Sequence, residues 1–279
     1  MFSNILVHIP TERPARPVTD VAVSLAKARQ AHVDAIAIGF ASTNSAALVS
    51  EGGAAVAAVM GVERERAQER AETTIAVFAI EAKLANIAFD TRALAMVPFE
   101  AEQAIGELAR LYDLTVVLQP ERSNSTFDNM IPQAVLFNAG GPMLMLPYIH
   151  RGPLETRHVG IAWDGSRLAA RALRDAMPFV SGAEAVTVVT VNEDRQRAGD
   201  ASADRVVSHL GRRGIKAKLE RLTTDKGNVH NAILSIAAET DVDLLVMGGY
   251  GHSRMQERIL GGVTRGMFDS MTVPVLMSH

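Results

Sequence analysis

One short pattern occurs twice in this chain, about a domain length apart, and it restricts the fold more than any other feature. Asp113-Leu-Thr-Val-Val follows the amphipathic stretch 100–112, and Asp243-Leu-Leu-Val-Met follows the similar stretch 228–241. Gly141-Pro142-Met-Leu-Met and Val273-Pro274-Val-Leu-Met then close the two halves in the same way. A repeat of this length means tandem domains, not a solenoid, whose period would be ~20–50 residues. The 279 residues suit two such units.

Apolar runs and amphipathic stretches alternate in both halves. In the first, strands are expected at 4–9, 33–40, 89–96, 113–118 and 143–146, with helices at 19–31, 63–86 and 99–112. Residues 42–62 read as a loop or a weak helix, and Gly52-Gly53 argues for a break. The charge-rich part of 63–86 reads as a solvated helix face. The stretch 148–157, with Pro153, is the expected linker. The second half then gives strands at 158–163, 185–191, 216–222, 243–247 and 273–277, with helices at 166–179, 201–213, 228–239 and 263–271. Strands alternating with helices imply right-handed crossovers and a parallel sheet covered on both faces. The expected fold is α/β, with two tandem doubly wound parallel-sheet domains over 1–150 and 151–279.

Composition narrows the function classes. The formal net charge is −3, which argues against sequence-independent nucleic-acid binding. There is no cysteine, so disulfides, thiol catalysis and cysteine-ligated zinc are excluded. No apolar run approaches the ~18 residues of a membrane-spanning helix. The N-terminal residues lack the pattern of a signal peptide. A soluble, cytoplasmic protein is expected.

The chemistry is concentrated near the C-terminus. The apolar run 244–247 leads into Gly248-Gly249-Tyr250-Gly251, nine residues follow, and then Gly261-Gly262-Val263-Thr264. Glycines straight after a buried strand let a ligand approach the backbone. The second glycine pair precedes an expected helix, whose N-terminus favours an anion. G-x2-G-x9-G therefore reads either as two backbone surfaces around one phosphate chain or as a strand–turn–helix joint with tight turns.

These residues, with Val273-Pro-Val-Leu276, closely resemble the C-terminal signature of the universal stress proteins. The resemblance covers nearly the whole chain, strong over 158–279 and weak over 1–150. It implies a Rossmann-like domain whose nucleotide-binding branch carries Ser or Thr where this chain has Gly262. It also implies a stress-response regulator binding an adenine nucleotide, ATP (or AMP or ADP), with Mg2+, in the C-terminal half, and slow hydrolysis at most. By the same resemblance Gly248, Gly251, Gly261, Gly262, Val263 and Thr264 surround the phosphates, Asp164 faces the ribose or adenine, and Val191 reads the adenine through its backbone. Asp164 at a strand end is also physically suited to accept from ribose hydroxyls, or else to cap the next helix; the cap is assigned to Ser166. Gly262 lacks a hydroxyl donor, for which Thr264 is a partial substitute. His252 and Arg254 either add positive charge between the glycine pairs or simply line the surface. In the first half Pro10 stands where Asp164 stands, and Pro132 falls near the Gly262 position, so that half is expected to be a degenerate scaffold without nucleotide.

Other readings have less support. No P-loop, G-x-G-x-x-G, G-x-S-x-G or H-E-x-x-H motif occurs. The eight histidines are scattered, which argues against a metal site. A nucleotide-free interaction or scaffold protein of the same fold remains the alternative, with a slow ATP hydrolase behind it. Strands 143–146 and 273–277 should be terminal in their domains. Open apolar edges invite pairing, so the two are expected to join antiparallel as a pseudo-dimer inside one chain. A homodimer would then form through other surfaces, with the Ala-rich stretch 46–60 as the candidate.

Overall fold

The computed structural model describes residues 2–41, 53–193, 199–249 and 262–279, with the backbone alone for 53–56. The first half comprises β1 (Asn4–Ile9), α1 (Arg16–Arg29), β2 (His32–Phe40), α2 (Gly53–Leu84), β3 (Ala88–Met96), α3 (Pro98–Leu108), β4 (Leu114–Leu118), α4 (Ile131–Asn138) and β5 (Met143–Leu146). The second comprises β6 (His158–Ala162), α5 (Arg167–Asp175), α6 (Met177–Val180), β7 (Ala185–Val191), α7 (Ala203–Gly211), β8 (Ala217–Leu222), α8 (Val229–Glu239), β9 (Leu244–Gly248), α9 (Val263–Ser270) and β10 (Val275–Ser278).

These strands form one sheet in the order β3-β2-β1-β4-β5-β10-β9-β6-β7-β8. Within each half every pairing is parallel, and each half winds outward in both directions from its first strand. Helices α1, α2, α5 and α7 pack on one face, around Val7, Phe78, Val159 and Phe179. Helices α3, α4, α8 and α9 pack on the other, around Ile38, Ile105, Ile233 and Met267. The central strands are buried on both faces, which is why they are continuous apolar runs, whereas the edge strands β3 and β8 carry charged residues and are partly exposed.

The halves meet through β5 and β10, which pair antiparallel as Val275↔Met145, Leu276↔Leu144 and Met277↔Met143. Leu144 and Leu276 hold corresponding places in the repeat and face each other, so a pseudo-two-fold axis normal to the sheet passes between them. Each apolar edge strand is thereby covered by the other. Corresponding bonds recur on either side of the axis. Thr115 N–H donates to Pro142 O at 3.1 Å, and Leu245 N–H to Pro274 O at 2.9 Å. Both prolines stand just before the terminal strand, where only their carbonyl is used. Asp113 accepts from Ser3 and Asn4 N–H, and Asp243 accepts from His158 N–H. Side chains reinforce the seam: Gln119 Nε2 donates to Phe268 O at 3.1 Å, Arg122 pairs with Asp269, and the Phe137 and His279 rings stand 5.0 Å apart.

Several expected helices differ in detail. The long helix begins at Gly53, ten residues before the expected start, because the Ala-rich segment after it has high helix propensity; 42–52 lie outside the described residues. The helix expected over 166–179 breaks after Asp175, and Pro178, which has no N–H, enters the first turn of α6. Helix α4 was not expected. Pro132 sits in its first turn, where the missing N–H has no intrahelical acceptor in any case.

Candidate functional site: two unequal crevices

In each half the first strand is flanked by the second and the fourth, which places a topological switch point at the carboxyl end of β1 and of β6. Open parallel sheets bind ligands there. The register fixes which residues correspond: Ile5 faces Leu114 as Val159 faces Leu244. Pro10 therefore occupies the place of Asp164, as expected from sequence. Met143 faces Thr115 as Val275 faces Leu245. Counting back from those strands puts Met130 at the Gly262 position and Pro132 at the Thr264 position, two residues from the expected match.

In the C-terminal half, Asp164 follows β6 and is exposed. Its Oδ1 accepts from Ser166 N–H at 2.9 Å, which fixes the turn. Ser166 itself caps α5, its Oγ accepting from Ala169 N–H at 3.1 Å, so the division of labour expected between these two residues holds for the cap. Val191 ends β7 on one side of Asp164, and Gly248 ends β9 on the other. Asn192, in a left-handed conformation at φ 56°, exchanges two bonds with Thr224 and ties the ends of β7 and β8 together. Gly262 is the N-cap residue of α9, with φ −58° and ψ 153°, and Val263 and Thr264 form its first turn, Thr264 buried. Gly251, His252, Arg254 and Gly261 lie outside the described residues.

Two of the glycines here have packing reasons of their own. A Cβ on Gly248 would stand 2.7 Å from Ala169 N and from Leu168 C, so β9 and α5 can approach only because this residue is glycine. A Cβ on Gly249 would meet Leu136 of the other half at 3.0 Å.

The N-terminal crevice is closed by the chain itself. Asp128, in the turn Phe127–Met130, is buried, and its carboxyl group accepts from Glu12 N–H at 2.8 Å and Thr11 N–H at 3.4 Å. Glu12 returns the contact by accepting from Phe127 N–H at 2.8 Å. Arg13, also buried, donates to Gln119 O at 2.6 Å and Asn129 Oδ1 at 3.0 Å and lies 3.5 Å from Glu121. These contacts join the loop after β1 to the loop after β4, across the place where a ligand would enter.

His8 Nε2 lies 3.7 Å from Asp128 Oδ1, the separation of an ion pair. Burial decides otherwise. It pushes the Asp128 carboxyl up to about 7 and the His8 imidazole down to about 3, so the proton belongs to the carboxyl and the imidazole stays neutral. None of this latch was found by sequence reasoning. Pro10 signalled only that a ligand carboxylate was missing. Beside the latch, a cavity of about 410 Å³ opens between Thr11 and α2, lined by Arg66, Glu69, Arg70, Thr73 and Thr74. Both arginines are engaged, Arg70 with Phe40 O and Arg66 with Glu63.

This architecture defines the class: a tandem α/β protein with two switch-point crevices, one latched. Comparison with known proteins gives the family. Residues 155–279 match the model of the Universal stress protein family. A universal stress protein of Synechocystis sp. is 30% identical over 124 residues, a stretch that is 41% of this chain and 40% of that relative's length. A universal stress protein from Archaeoglobus fulgidus DSM 4304 superposes with a TM-score of 0.69 at 18% identity, covering 98% of this chain and 95% of its own. A functionally unknown protein from Pseudomonas aeruginosa PAO1 does so with a TM-score of 0.63 at 16% identity, covering 99% and 92%. The C-terminal half of this chain belongs to the universal stress protein family, and the whole chain shares its fold with a universal stress protein. No helix of the described residues is long and apolar enough to cross a membrane.

Proposed function

We propose that residues 151–279 form a domain that binds an adenine nucleotide, ATP or AMP, at the carboxyl ends of β6, β7 and β9. Residues 1–150 serve as its scaffold, and the chain acts as a cytoplasmic stress-response regulator through its nucleotide state. The observation that carries this reading is the contrast at the switch points. The C-terminal crevice presents an exposed carboxylate, Asp164, between Val191 and Gly248, where the N-terminal crevice has Pro10 and an internal latch. Asp164 would accept from the ribose hydroxyls and the backbone beside Val191 would take the adenine edge. The phosphates would lie between Gly251, His252 and Gly261 and the N-terminus of α9, where first-turn N–H groups have no acceptor within the helix. Mg2+ would be held mainly by phosphate oxygens and water, as is usual for that ion.

One observation favours the nucleotide-free scaffold as the second reading: the glycines at 248 and 249 are already required by packing. Mass spectrometry of ligand released from the purified full chain, followed by calorimetry with ATP, ADP and AMP, separates the two. The expected result is one site per chain, weakened at least tenfold in Asp164→Ala. No binding of any of the three nucleotides would leave the scaffold reading. A homodimer is part of the proposal and would use surfaces other than β5 and β10, since those are already paired. Light scattering at a mass of one chain would remove it.

A further inference from the structure

At the amino ends of β2 and β3, remote from both crevices' strand ends, three side chains converge. His32 Nε2 lies 3.6 Å from Asp34 Oδ1 and 3.2 Å from Asp90 Oδ2, and the three donor atoms lie within 4.8 Å of one another. We propose that His32, Asp34 and Asp90 form a binding site for a divalent transition-metal ion, Zn2+ foremost, at this edge of the sheet.

The placement follows from strand geometry. His32 and Asp34 are alternate residues of one strand, so they share a face. The parallel register sets Asp90 of the edge strand directly opposite Asp34. Two carboxylates facing each other across a ladder destabilise it unless a cation stands between them. The separations from the imidazole are compatible with a zinc ion. Donors about 2.0–2.1 Å from a zinc ion at tetrahedral angles stand about 3.3 Å apart, and the two measured separations from the imidazole bracket that value. Imidazole nitrogen and carboxylate oxygen are both zinc donors, and the exposure of Asp90 leaves the fourth position to water.

A supporting shell is present. Tyr112 donates from its hydroxyl to Asp34 Oδ2 at 2.5 Å, which holds Asp34 Oδ1 toward His32. Outer contacts of this kind orient a metal's ligands. An opposing charge, Arg92, is the next residue of β3 on the same face, opposite Ile36. Its charge weakens the site without occupying it. Scattered histidines and the absence of cysteine give no sign in the sequence of a site that needs only one histidine.

The test is Zn2+ titration of the full chain without an affinity tag, by calorimetry, with Co2+ absorption as a second readout of coordination. The expected result is one saturable ion per chain and a visible Co2+ spectrum of tetrahedral intensity. His32→Ala and Asp90→Ala should each weaken binding at least tenfold. Tyr112→Phe, which keeps the ring, should weaken it roughly tenfold through Asp34. Circular dichroism confirms that each variant is folded, and Zn2+ should raise the melting temperature of the parent chain but not of His32→Ala. The proposal is overturned if no saturable binding occurs, leaving a plain cluster of ion pairs, or if stoichiometric binding survives both His32→Ala and Asp90→Ala, which would put the ion elsewhere.

Discussion

The two crevices occupy corresponding places in one repeated frame and differ in what fills them. Both lie at a switch point, beside a first strand held by an aspartate's contact with its opening residues. In the C-terminal half the loop after β6 is fixed by its own short turn from Asp164 to Ser166. In the N-terminal half the matching loop is fixed by a carboxyl group from the far side of the crevice, Asp128, and by the buried Arg13. Backbone N–H groups at a strand end require an acceptor, and here the chain supplies one internally. The difference therefore lies in local polar chemistry while the frame is retained.

Removing the buried cation should break this contrast most severely. Arg13→Ala strips the buried Gln119 O and the half-buried Asn129 Oδ1 of a donor and removes the cation beside the partly exposed Glu121, a loss of about 2–4 kcal/mol, mostly from the two acceptors left unmet. Urea denaturation measures it, and a loss under about 1 kcal/mol would mean that the latch is not structural. Gly248→Ala comes next. Its Cβ falls on the backbone of α5, and forced repacking of this kind costs about 1–3 kcal/mol. If stability falls while ATP affinity holds, Gly248 serves packing alone.

A smaller effect sharpens the comparison through pH. A carboxyl raised to about 7 in the folded chain keeps a proton that the unfolded chain releases near 4. Its stabilising contribution is complete below that lower value and is lost as pH rises through 7. An imidazole lowered to about 3 works in the opposite direction: its contribution is complete above 6.5 and is lost as pH falls toward 3. Between about pH 4 and 6.5 each state holds one proton, so the two slopes cancel. Asp128→Asn should expose the His8 slope, with stability falling by about 1.4 kcal/mol per pH unit on acidification across that window relative to the parent. Parallel pH profiles for the two proteins would contradict the assignment. The smallest expected effect is Gly262→Ser. The extended conformation at this N-cap accepts a serine, which should stabilise α9 by a few tenths of a kcal/mol and tighten any ATP binding through a new hydroxyl donor. Thermal melts and calorimetry would show both changes.

The frame was legible because buried parallel strands are written as uninterrupted apolar runs, and because the repeat of Asp113 and Asp243 marks corresponding strand starts. Even the pairing of β5 with β10 could be anticipated, since two apolar edges in one chain have each other as the nearest remedy. The latch was not legible. Asp128 and Arg13 stand in polar loops without periodicity, and only the register of β1 with β4 brings those loops together. The same applies to Asp34 and Asp90, which become neighbours only when β2 and β3 are aligned.

The ladder between β5 and β10 has one further consequence. Two separate copies meeting through such strands would fall apart on dilution and, being encoded once, would have to change both crevices with every substitution. Joined in one polypeptide, the seam through Leu144 and Leu276 has no dissociation constant, and each half can vary without imposing the same change on its twin. Covalent linkage thus turns an obligatory symmetry into an optional one, which is the freedom that lets one crevice be latched from within while its counterpart keeps Asp164 at the corresponding strand end.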